Sequence, residues 1–130
     1  MNILLPFDVA PVSERAVRTA FEMFSGNEDV HVTAVHVSPR EETAAQIAAS
    51  EIESMGDEYG ISVGADIELV KHGAESKAAV RKAITDIVET QEFDLVVLGH
   101  EEKSLFAQLF RSDTTERMLK MHEIPVLLVP

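Results

Sequence analysis

Two stretches decide the fold: Phe93-Asp94-Leu95-Val96-Val97-Leu98-Gly99 and the terminal Ile124-Pro125-Val126-Leu127-Leu128-Val129-Pro130. Each holds a short apolar run rich in valine and leucine with no polar alternation, the pattern of a strand buried on both faces of a parallel sheet. Between them a polar stretch leads into Thr114-Thr115-Glu116-Arg117-Met118-Leu119, which opens a short helical pattern over residues 114–122. Parallel neighbours require such a crossover, because a tight hairpin can only return the chain antiparallel.

The same grammar repeats toward the N-terminus. Apolar runs at residues 2–7 and 30–37 read as buried strands, as do 95–99 and 125–129. A weaker run at 61–70 contains Ile67, Leu69 and Val70 beside acidic residues, which suits a sheet edge. Helical patterns fill the gaps. Pro11 fits a first helical turn, where its missing N–H costs nothing. Ala16, Val17, Ala20, Phe21 and Phe24 then form an apolar stripe that Gly26 can cap. Residues 42–59 are rich in alanine and glutamate, with Ile47 and Ile52 expected inward and Gly60 as the stop. Residues 76–90 carry Ala79, Val80, Ala83, Ile84, Ile87 and Val88 at helical spacing. The alternation predicts an α/β fold, a doubly wound open five-stranded parallel sheet with helices on both faces and right-handed crossovers. Ligands of such sheets lie beyond the carboxyl ends of the strands, where strand order reverses.

Composition narrows the function. A chain of 130 residues suits one domain over 1–130. The absence of cysteine removes disulfide, thiolate and zinc-thiolate chemistry. Residues 1–6 lack a basic flank and reach Asp8 too soon for a signal peptide, and no apolar run is long enough to span a membrane, so a cytoplasmic protein is expected. The formal charge of −12, from 23 acidic and 11 basic residues, would repel a phosphate backbone; no nucleic-acid partner is expected. Such acidity suits a salt-adapted cytoplasm as well as an ordinary acidic protein.

The run ending in Gly99, the polar loop, the helix from Thr114 and the closing Val-Leu-Leu-Val strand together resemble the universal stress protein family. The resemblance covers nearly the whole chain and is most specific at its two ends. It implies strand order 3-2-1-4-5 and a crevice between the first and fourth strands, at Asp8 and Gly99. In the family's nucleotide-binding branch the loop is spaced G-x2-G-x9-G-(S/T), with glycines that let backbone amides approach phosphate oxygens. Here that spacing begins at Gly99 and then falls on Glu102, Ser112 and Asp113. The loop His100-Glu101-Glu102-Lys103-Ser104-Leu105-Phe106 resembles instead the branch without the motif, which implies no tight ATP binding.

Carried over residue by residue, the resemblance gives a diminished nucleotide site of Asp8, Val37, Gly99, Ser112, Asp113 and Thr114. Asp8 stands where the family commonly has an aspartate toward adenosine, though a carboxylate at a helix start is also a plain capping group. Val9 and Ala10 replace the small hydroxyl residues usual after it. Val37 matches a position whose backbone meets adenine, and Gly73 matches a turn glycine. No bound cofactor is expected, a weakly held adenine nucleotide such as ATP being the alternative.

Other chemistries find little footing. His36, His72 and His100 fall near the ends of strands without the close spacing of a metal pair, so no metal site is expected. There is no G-x-S-x-G elbow, and Ser13, Ser76 and Ser112 lack an identifiable base, so no catalytic residue is assigned and no enzyme is expected. A phosphoacceptor receiver domain has a similar outline but needs an acidic pair, a mid-chain aspartate and a late lysine. Pro6-Phe7-Asp8, Val70-Lys71 and Val129-Pro130 stand there instead. Ser112, Thr114 and Thr115 at the last helix entrance are candidates for phosphorylation or for capping. The expected partners are a second copy of the chain, joined along Val126, Leu127, Leu128 and Val129, and an unidentified protein; no membrane is expected.

Overall fold

A computed structural model of the chain describes residues 1–7, 11–38, 43–69, 76–99 and 113–130. Five strands are present: β1 (Asn2–Pro6), β2 (His31–Ser38), β3 (Ser62–Leu69), β4 (Leu95–Gly99) and β5 (Val126–Val129). The helices are α1 (Pro11–Phe24), α2 (Thr43–Tyr59), α3 (Ser76–Thr90) and α4 (Asp113–Met121). All strand pairs are parallel and the order is β3-β2-β1-β4-β5, so the expected fold class and strand order hold.

Strand pleating divides the core into two layers, because successive side chains point to opposite faces. Ile3, Leu5, Phe7, Val32, Ala34, Val97 and Val129 face one way, onto Ala16, Val17, Ala20 and Phe21 of α1 and Ile52 of α2. Leu4, Val35, Val96 and Leu98 face the other, onto Ile84, Ile87 and Val88 of α3 and Leu119 of α4. Apolar contact on both faces is why these strands read as unbroken hydrophobic runs.

One inward assignment fails. Ile52 is buried, but Ile47 is 54% exposed. At 3.6 residues per turn the two lie about 140° apart, too far for one face. The inner face of α2 instead uses Ala48, Ala49, Met55 and Tyr59 around Ile52. Gly56 belongs to it for a different reason: a methyl added there would overlap the Cγ2 of Val63 and come within 3.1 Å of the Ile61 carbonyl oxygen. The missing side chain lets α2 lie close upon β3.

Helix ends follow backbone rules. Gly60 has φ 69°, and the Ile61 amide donates to the Gly56 carbonyl at 2.8 Å, a left-handed cap that returns the chain toward β3. The end of α4 uses the same geometry without glycine. Glu123 has φ 56°, while the Ile124 amide donates to Leu119 O at 2.9 Å and the Glu123 amide to Lys120 O at 3.1 Å. Burial of both Leu119 and Ile124 holds this glutamate in a conformation costly to any L-residue with a Cβ.

Candidate functional site: the crevice between β1 and β4

Strand order reverses between β1 and β4, since β2 and β3 lie on one side of β1 and β4 and β5 on the other. The ladder between β1 and β4 ends early, at Pro6. The β1–β4 register pairs Ile3 with Leu95 and Leu4 with Val96 and goes no further. In a parallel ladder of this register the next hydrogen bond would be donated by residue 6, and proline has no N–H. On the other side β1 stays attached. Pro6 remains in register with Val35, and the Phe7 amide donates to Val35 O at 2.9 Å.

His36 completes the clamp. Its Nδ1–H donates to the Phe7 carbonyl at 2.8 Å, which fixes the ring tautomer, and its ring lies 5.4 Å from that of Phe7. Phe7, at the β1 end, is therefore held to β2 through both its N–H and its C=O, while the Pro6 nitrogen has no hydrogen to offer β4. Pro6 and His36 are the site residues that sequence reasoning missed. A proline inside an otherwise central strand is the one signal that could have pointed to the opening.

Gly99 is buried at the carboxyl end of β4, in register with Val129. Val37 lies in β2, next to the end of that strand. Asp113 and Thr114 open α4, whose start topology places at the same end of the sheet as Gly99. Thr115 is only 3% exposed, so modification of its hydroxyl would require α4 to open. Asp8 and Ser112 lie outside the described residues, as do Val9, Ala10, His72, Gly73 and the loop at 100–111. Among the described residues no group of three or more histidine, aspartate or glutamate side chains could hold a metal ion, and no helix is long and apolar enough to cross a membrane.

A doubly wound sheet opened at its switch point defines a class of α/β proteins that take small ligands beyond the strand ends. Within that class, the chain belongs to the universal stress protein family, whose sequence profile matches residues 1–130. Solved structures share the fold at low identity. A universal stress protein from Archaeoglobus fulgidus is 20% identical over 100% of this chain and 98% of its own, with a TM-score of 0.66. A family protein from Arabidopsis thaliana with AMP bound is 14% identical over 99% of this chain and 90% of its own, at 0.66. A universal stress protein in complex with cAMP is 14% identical over 99% and 95%, at 0.67. No curated protein matches the chain significantly.

Proposed function

We propose that this chain is a stress-response module of the cytoplasm that acts through protein contacts, as a homodimer, and neither binds ATP tightly nor catalyses a reaction. The observation that carries the nucleotide half of this reading is that α4 begins at Asp113. The N-terminus of a helix favours an anion, and in the family's loop that position serves phosphate. In this sequence that position is an aspartate. At ~5 Å and an effective dielectric of ~20, one pair of like charges costs about 3 kcal/mol, enough to lower affinity more than a hundredfold. Glu102, at the second glycine position of the motif, adds a further negative charge to the loop.

Titration calorimetry with Mg-ATP tests this reading. The expected result is no binding in the low micromolar range, with affinity gained in the Glu102→Gly, Ser112→Gly, Asp113→Ser variant. Low micromolar binding by the wild type would overturn it.

A second reading, adenine-nucleotide sensing through the altered loop, is favoured by the AMP and cAMP in the related structures. Those ligands carry fewer phosphate charges than ATP, so the same repulsion penalises them less. On this reading affinity should fall in the order cAMP, AMP, ATP.

The dimer half of the proposal rests on β5. Val96 N–H donates to Pro125 O at 3.0 Å, and the register pairs Val96 with Val126 and Leu98 with Leu128. Parallel geometry then turns the amides of Leu127 and Val129 toward β4 and those of Val126 and Leu128 toward the open edge. The side chains divide the same way. Val129 is buried and Leu127 packs against the α1 layer, whereas Val126 and Leu128 are 36% and 47% exposed. An edge with open backbone groups and uncovered apolar side chains favours association, and pairing with its own copy about a two-fold axis satisfies both edges.

A further inference from the structure

The outer surface of α2 takes no part in either half of that reading. An open groove of about 470 Å³ runs along this helix, lined among the described residues by Ile47 and Met55, by the carboxylates Glu51 and Glu58, and by hydroxyl and amide groups including Ser54 and Gln46. Ile47, which a helix packed only onto the sheet would not need, stands 54% exposed at one end.

The charges of α2 are arranged against the helix. It has no acidic residue in its first turn and no basic residue in its last. Glu51 stands at its middle, Glu53, Asp57 and Glu58 fall in its carboxyl-terminal half, and no lysine or arginine occurs between Thr43 and Tyr59. Carboxylates near a helix C-terminus oppose the helix dipole, and Glu53 and Asp57 are a like-charged i,i+4 pair. In α1, Glu14 of the first turn pairs with Arg18 at 3.3 Å, although Glu22 lies in its last turn. α3 also ends in an acid, Glu89, with no basic residue in its last turn, but it carries Arg81 and Lys82 along its length, where α2 has no cation. Among the described residues no cation lies within ion-pair distance of an α2 carboxylate. Such local conflict, on a solvated face beside exposed apolar groups, is characteristic of surfaces completed by something else.

We propose that α2 is a docking face for a cationic amphipathic helix of a partner protein. Glu51 and Glu58 are seven residues apart, about 10 Å along the axis, a spacing matched by lysines or arginines two turns apart on an approaching helix. Ile47, with the part of Met55 left uncovered by its packing toward the sheet, accepts the apolar stripe of the same segment. This rests on the reading of the chain as an interaction module and names the chemistry of its partner. It stands apart from β5 and from the crevice, so dimer mass and ATP affinity are unaffected by its failure.

A direct test titrates the ¹⁵N-labelled full chain with a synthetic helical peptide bearing two lysines seven residues apart and leucines on the adjoining stripe. A peptide of the same composition in shuffled order serves as control. The expected result is saturable shifts confined to amides of residues 46–58. Affinity should fall at least tenfold in Glu51→Gln/Glu58→Gln and in Ile47→Ser, and for the shuffled peptide. Equal binding of the shuffled peptide would reduce the effect to the general attraction of cations to an acidic protein and overturn the proposal. So would shifts elsewhere, no shifts, or an unchanged affinity in the charge variant. Melting of that variant gives a second check, because removing one carboxylate from the last turn and one from the middle of an all-acidic helix should leave the melting temperature equal or higher. A lower one would mean that the acids hold the fold, against the proposal.

Discussion

The two edges of the sheet are built to opposite specifications. β3 is long, eight residues, and its sequence places Asp66 and Glu68 on the strand; α2 lies close over it through Gly56. β5 is four residues long, carries no charge, and sits between Pro125 and Pro130. Acidic residues defend an edge by making a second strand unwelcome. Prolines limit a ladder to a few residues without closing it. The contrast is one of sequence: β3 carries acids along its length, whereas β5 is short, uncharged and bounded by prolines, as the proposed pairing of two copies along β5 requires.

The largest expected effect separates the inward and outward halves of β5. Leu127→Pro removes an amide directed at β4, next to the buried Val97, and should destabilise the fold by about 3 kcal/mol or more, read from urea denaturation. Were Leu127→Pro to leave stability unchanged while abolishing association, the inward and outward amides would be assigned the wrong way round.

Gly56→Ala probes the β3 edge. Alanine is the better helix former by roughly 1 kcal/mol, so propensity alone predicts a more stable protein. Overlap with Val63 predicts the reverse, a loss of about 1–3 kcal/mol as α2 is pushed off β3. A stabilised variant would show that the close approach is not needed.

The smallest effect lies on the β5 side, at the left-handed Glu123. Glu123→Gly should raise stability by about 0.5–1 kcal/mol, the relieved strain exceeding the added freedom of the unfolded chain. A loss of stability on thermal melting would mean that the glutamate side chain contributes more than its backbone costs.

Much of this was legible in the sequence. Four apolar runs and a weaker fifth interrupted by acidic residues mark the five strands within a residue at each end, and Gly26 and Gly60 mark helix ends that the backbone confirms with φ 72° and 69°. What could not be read depended on register. Pro6 ends the β1–β4 ladder only because its missing donor points to β4, and His36 clamps Phe7 only because β2 lies one strand away. The failure at Ile47 is different in kind. An alanine-rich helix has little apolar contrast, so its sequence leaves the phase of the buried face open, and residue type alone points Ile47 inward. Of the candidate nucleotide residues, Gly99 and the start of α4 lie at the crevice end of the sheet, whereas Asp8 and Ser112 fall outside the described residues.

The proposal that two copies join along β5 has one direct test. Sedimentation equilibrium of the wild type and of Leu128→Pro, which loses an outward amide while keeping the β4 pairing, tests this most directly. The prediction is a wild-type mass of twice 14.3 kDa. The dimer should tighten as salt screens the repulsion between subunits of charge −12, and the proline variant, with an unchanged circular dichroism spectrum, should associate at least tenfold more weakly. A wild-type mass of 14.3 kDa at all concentrations and salt levels, or an undiminished dimer in the variant, would contradict it.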